Sequence, residues 1–87
     1  MDKHYLIFRQ MLEGYINNKT SKEEINAILI NEVDVELVLN TEDTLLNDMY
    51  FSLLHYSIGE EEFTVKEAYY FLECLSGIRK HSFEDKC

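Results

Sequence analysis

Lysine and arginine are missing from residues 23 to 65 of this 87-residue chain, a stretch that holds 11 aspartates and glutamates. Residues 1–22 sum to +2 and residues 66–87 to zero, so the whole net charge of −9 lies in the central half. Displacing phosphate counterions needs a clustered Lys/Arg footprint, and its lack excludes direct nucleic-acid binding as the expected role. An anionic membrane surface is disfavoured on the same ground. Proline is absent and glycine occurs only at positions 14, 59 and 77, so helix ends must be set mostly by capping side chains. No apolar run approaches the roughly 18 residues that a bilayer span requires. The opening Met1-Asp2-Lys3-His4-Tyr5 lacks the basic-then-apolar pattern of a signal peptide. Cysteine is scarce: Cys74 and Cys87 make no disulfide framework, and a reduced, cytoplasmic setting is expected.

What is present points to one folded domain over residues 1–87. Hydrophobic residues make up 46%, with six tyrosines and five phenylalanines, more apolar and aromatic surface than a disordered acidic tail carries. Tyr5, Phe8, Leu12 and Tyr15 recur at helical spacing and predict a first helix over residues 3–17. Gly14 should weaken it by roughly 0.5–1 kcal/mol against alanine, while permitting a close helix crossing. A second helix opens at Thr20 or Ser21, each with a glutamate three residues on, the pattern of a capping box. Ile25, Ile28 and Leu29 form its buried face. Val33-Asp34-Val35-Glu36-Leu37 alternates apolar and acidic, a strand period. A lone strand cannot make a sheet, so residues 32–40 are expected as a short helix or an extended connector.

A third helix is expected from Asn40 or Thr41, with Leu45, Leu46, Met49, Tyr50, Leu53 and Leu54 giving the broad stripe of a central helix. Gly59 suits a left-handed cap at its end. Thr64 with Glu67 forms a further capping box and opens a fourth helix carrying Ala68, Phe71, Leu72, Leu75 and Ile78. Arg79, Lys80 and His81 suit that helix's negative end, and residues 82–87 are expected as a loose tail or a single extra turn. The fold class is all-α, a small bundle of three to four helices.

No catalytic constellation, cofactor motif or metal-ligand spacing is visible. His4, His55 and His81 are scattered, and Cys74 reads as a small core residue. Glu60-Glu61-Glu62 does not match a calcium loop, which spaces its oxygen ligands and needs a glycine turn. The chain is therefore expected to be a binding protein without cofactor or metal. Mixed surfaces normally intersperse both signs, so a long base-free stretch suits an external field. Tyr50, Tyr56 and Phe63 lie among its acids, a composition suited to an interface. The expected partner is a basic protein, with Glu32, Asp34, Glu36, Glu42, Asp43, Asp48, Glu60, Glu61 and Glu62 as the acidic surface. Tyr50 and Tyr56 are the aromatic anchors. The chain itself is expected as a monomer or weak homodimer.

The segment from Tyr5 to Ile28, an aromatic-rich helix followed by Tyr15-Ile16-Asn17-Asn18-Lys19-Thr20-Ser21-Lys22-Glu23-Glu24-Ile25, resembles the opening of colicin D-type immunity proteins. Glu67-Ala68-Tyr69-Tyr70-Phe71-Leu72-Glu73-Cys74-Leu75 through Arg79-Lys80 looks like the closing helix of small bacterial proteins of this kind. Like the immunity proteins of contact-dependent growth inhibition systems, these are small and acidic. The resemblance implies a cytoplasmic protein that blocks one toxin domain, often a transfer-RNA-cleaving nuclease. It carries no fixed binding motif, so the site residues rest on charge and aromatic placement. The alternatives are a phage-encoded, antirestriction-type mimic of nucleic acid and a helical regulatory adaptor.

Overall fold

A computed structural model describes residues 3–82 and places five helices there, with no strand among the described residues. They are α1 (Lys3–Ile16), α2 (Lys22–Asn31), α3 (Val35–Asn40), α4 (Thr44–Ser57) and α5 (Val65–Leu75). The all-α expectation holds. The fifth element is the short α3, so the alternating segment is helical rather than extended. The expectation for residues 83–87 lies outside the described residues, while Ser82 is docked rather than loose.

Polar side chains start the helices, as a proline-free chain requires. Ser21, rather than Thr20, caps α2: its Oγ accepts from the Glu24 amide at 3.1 Å, and the Glu24 carboxylate accepts from the Ser21 amide at 3.1 Å. Asp34 caps α3 and Asp43 caps α4. The fourth helix thus begins at Thr44, later than Asn40 or Thr41, because α3 already uses residues up to Asn40. Thr64 accepts from the Glu67 amide at 3.1 Å and opens α5. The C-termini end differently. Asn18 (φ +57°), Gly59 (φ +82°) and Gly77 (φ +77°) take the left-handed conformation just past α1, α4 and α5. The amide after each, in Lys19, Glu60 and Ile78, returns to a carbonyl in the last turn at 2.8–3.0 Å, satisfying an otherwise orphaned acceptor.

Packing follows the apolar stripes. α1 lies chiefly against α5 and α2 against α4, while α3 rests on α4. Helix α4 touches all three of α1, α2 and α5, and its buried residues Leu45, Leu46, Met49, Tyr50 and Leu53 reach around much of its circumference. Phe8, Leu12, Ile25, Leu29, Val38 and Phe71 close the core from the other helices. Each fully buried side chain of this size contributes about 1.5–3 kcal/mol of transfer free energy. Ile78 is the exception to the expected core, standing 77% exposed beyond the end of α5.

Gly14 has a tight steric role. A Cβ at this position would lie 1.9 Å from Thr20 Oγ1 and 2.9 Å from Thr20 Cβ, because the α1–α2 turn folds back onto the Gly14 carbonyl. The close approach is to this turn and not to a crossing helix. Gly14→Ala is therefore expected to lower stability by about 1–3 kcal/mol, despite alanine's better helix propensity. Adding Thr20→Ala should recover part of the loss but not all, since the Cβ contact survives. Urea midpoints of the two variants check this, and a Gly14→Ala protein as stable as the parent would refute the packing described.

Candidate functional site

The acids of the base-free stretch, apart from Asp48 within α4, lie towards opposite ends of that helix. The amide of Asn26 in α2 donates to Ser57 Oγ at the end of α4 (3.0 Å), and Lys22 lies over Tyr56, so α2 runs antiparallel to α4. Glu32, Asp34, Glu36, Glu42 and Asp43 consequently sit by the start of α4, and Glu60, Glu61 and Glu62 follow its end. A 14-residue helix separates the two groups by about 20 Å. The expected single acidic surface is two.

At the far end, Tyr56, Phe63 and the α4–α5 loop enclose an open cleft of about 320 Å³. Its walls are Lys22, Gly59, Glu60, Glu61, Glu62 and Thr64. The left-handed Gly59 turns the chain so that the amides of Glu60 and Glu61 both point at the His55 carbonyl, at 2.9 and 3.3 Å. That fixes the loop backbone and leaves three glutamate side chains in solvent. Glu61 has a loose contact with His55 at 3.7 Å. Beneath them an aromatic group is locked edge to face: Tyr15 meets Tyr56 at 5.5 Å and Phe63 at 5.2 Å between centroids. The Tyr15 hydroxyl donates to the Phe63 carbonyl. Lys22 Nζ stands 4.9 Å from the Tyr56 ring centroid, so the half-buried Tyr56 offers its edge rather than a bare face.

At the near end, two carboxylates are already committed. Asp34 accepts from the Leu37 amide at 3.2 Å, and Asp43 accepts from the Leu46 amide at 3.1 Å and from the Tyr5 hydroxyl. Buried His4 reaches the same corner, where its Nε2 accepts from the Asp34 amide at 3.1 Å. The exposed Glu32, Glu36 and Glu42 project freely by comparison.

Two expected site residues belong to the interior. Asp48 is buried at 6% exposure and Tyr50 at 7%, because α4 is covered on more than one side. Tyr50 packs edge-on to Phe51. The Asp48 carboxylate meets His81 Nε2 at 3.0 Å and accepts from Ser52 Oγ at 3.2 Å. His81 Nδ1 lies 2.9 Å from Thr44 Oγ1, and the next residue, Ser82, donates its amide to the Tyr70 hydroxyl at 2.6 Å. These bonds clamp the segment after α5 onto α4. Nothing in the sequence signals a contact between residues 33 positions apart, and a terminal His beside two bases reads as a dipole partner. Lys22, Tyr15 and Phe63 were also unmarked as parts of one cleft, although Lys22 sits at the edge of the base-free stretch.

No protein-family model matches this chain, and neither a curated protein nor a solved structure matches it significantly. No helix among the described residues is long and apolar enough to cross a membrane.

Two outcomes test this geometry. His81→Ala removes one hydrogen-bond partner of the buried Asp48 carboxylate and should destabilise by about 1–3 kcal/mol, whereas replacing both residues by leucine should cost less than the single change. Equal losses from chemical denaturation would contradict a buried pair. Burial, with Tyr56, Glu67 and Glu62 adding repulsion, pushes the Tyr15 phenol above its usual 10.0. A folded-state value above the unfolded one contributes stability that is whole below the unfolded value and fades as pH rises through the folded value. The wild type's margin over Tyr15→Phe in urea should thus shrink above pH 10, and a constant margin from pH 8 to 11 would refute it.

Proposed function

We propose that this chain is an immunity protein, a small acidic cytoplasmic protein that binds one basic toxin domain and neutralises it. The toxin class that fits is a nuclease acting on RNA or transfer RNA, whose substrate channel must be lined with lysine and arginine. Inhibition is blockade of that channel, with carboxylates standing where substrate phosphates would lie and accepting the same charge-assisted hydrogen bonds. The chain supplies no catalytic step, metal or cofactor.

The observation that supports the reading is the concentration of exposed glutamates at the two ends, with Lys22 the base in the lining of the Glu60–Glu62 cleft. Glu60, Glu61 and Glu62 project around a cleft with aromatic walls, and Glu32, Glu36 and Glu42 project at the other end, in a stretch without lysine or arginine. Clustered like charges cost folding stability, and a protein needing only solubility gains nothing from concentrating them. Against a basic partner the same field steers encounter and raises the association rate, with a steep dependence on salt.

Co-expression with the product of a neighbouring toxin gene should restore growth. Charge reversal of the loop, Glu60→Lys with Glu61→Lys and Glu62→Lys, should slow association with that toxin about tenfold and leave the helical circular-dichroism spectrum unchanged. An unaltered association rate would mean that the loop is only a solvated surface.

A further inference from the structure

The cleft beyond the end of α4 already holds one cation. Lys22 Nζ stands 4.9 Å from the Tyr56 ring centroid, and both residues line the cleft together with Glu60, Glu61 and Glu62. Yet Lys22 forms no ion pair with any of the three among the described residues. Its side chain is exposed, and an exposed cation over an aromatic face is weakly held. The ring face thus accepts a positive charge, and nothing else retains the charge that now sits there.

The surroundings of that face are fixed and acidic. Tyr15 and Phe63 pack against Tyr56, and Phe63 stacks on the fully buried Phe71 with centroids 6.0 Å apart. The loop backbone is pinned by the amides of Glu60 and Glu61 on the His55 carbonyl. Among the described residues, the carboxylates of Glu60 and Glu62 have no ion-pair or hydrogen-bond partner, and Glu61 has only its 3.7 Å contact with His55. Repulsion from Glu67 and Glu62 reaches the Tyr15 phenol beneath the cleft, so the negative potential extends to its aromatic floor.

We propose that this cleft takes one arginine side chain of the basic partner, whose guanidinium displaces Lys22 from the Tyr56 ring and binds the carboxylates of the Glu60–Glu62 loop. A planar guanidinium can lie on the ring and direct its N–H donors edgewise to carboxylates at once, and it is more weakly hydrated than an ammonium. The cleft of about 320 Å³ is at the lower end of small-ligand sites, about 300–1,000 Å³, which suits one long side chain and not a helix. A second copy is a poor source of the arginine. It carries the same charge of −9, and its Arg9 and Arg79 lean on Ser76 and on Glu73 with Tyr70. The inference rests on the reading of this chain as a binder of a basic protein, and it names the group taken at one end.

The test is independent of any toxin. Nα-acetyl-arginine amide is titrated at constant ionic strength into the isotope-labelled full-length protein and followed by NMR, with Nα-acetyl-citrulline amide as the uncharged isostere. Saturable shifts are expected at the amides of residues 59–64 and at the Tyr56 ring with the arginine probe only. Glu60→Gln with Glu61→Gln and Glu62→Gln should weaken binding about tenfold or more with the helical fold intact. Lys22→Gln should tighten it about two- to fivefold. Lys80→Gln makes the same change in net charge beside His81, which contacts Thr44 at the other end of α4, and should leave the affinity unchanged. Equal shifts with the two probes, or none that saturate, overturn the site, and equal affinities of the two lysine variants overturn the displacement. A wild-type homodimer in analytical ultracentrifugation that the triple-glutamine variant abolishes assigns the cleft to a second copy and overturns the partner's arginine. Growth rescue by co-expression without arginine binding removes the cleft's assignment alone and leaves the immunity reading standing.

Discussion

Every carboxylate between residues 23 and 65 must be accommodated without a lysine or arginine from its own stretch. Among the described residues, two carboxylates of that stretch lie against histidine rings: Asp48 at 3.0 Å from His81 and Glu61 at 3.7 Å from His55. An arginine pair, Arg79 with Glu73, lies outside it. The remaining engaged acids use neutral donors. Asp34 and Asp43 accept backbone amides at helix starts, Asp43 also takes a tyrosine hydroxyl, and Glu24 closes a capping box. Helix N-termini favour negative charge, so the acids are stabilised locally while the net field outside is left nearly intact.

This constraint shapes the bundle. Acids that fix helix starts must occupy the turns, which brings Asp34, Asp43 and their neighbours to one end of α4 and the glutamate loop to the other. Asp48 is the exception, because it lies mid-helix on a helix covered from several directions. His81, Ser52 and the docked segment after α5 close over it. A charge in that position without such partners would cost several kcal/mol. The same clamp ties the chain's last described residues to its central helix.

Helix existence and core were legible because they depend on local spacing. Phe8, Leu12, Ile25, Leu29, Leu46 and Phe71 were marked by their period, and Ser21, Thr64 and Gly59 by cap chemistry. The segment from Val33 to Leu37 was ambiguous because its alternation satisfies a strand template, while the decisive facts are tertiary: burial of Val38 and the reach of His4 from α1. The acidic surface was legible as composition but not as geometry. Reading every acid as exposed misplaced Asp48, and reading tyrosines as anchors misplaced Tyr50, since neither burial nor a contact across 33 residues is written in local pattern. Tyr56 and the Glu60–Glu62 loop do meet at one cleft, and Lys22 joins them only through the antiparallel packing of α2 on α4.

Exposed glutamates stand towards both ends of the central helix, with Tyr15, Tyr56 and Phe63 packed edge to face beneath the Glu60–Glu62 loop. Such an arrangement would speed encounter with a basic protein, the partner proposed. The most direct measurement is the association rate with the proposed partner, a basic toxin domain, across ionic strength. A net acidic surface predicts a fall of about tenfold or more between low and high salt, with dissociation changing little. An association rate that is the same at both would contradict the account.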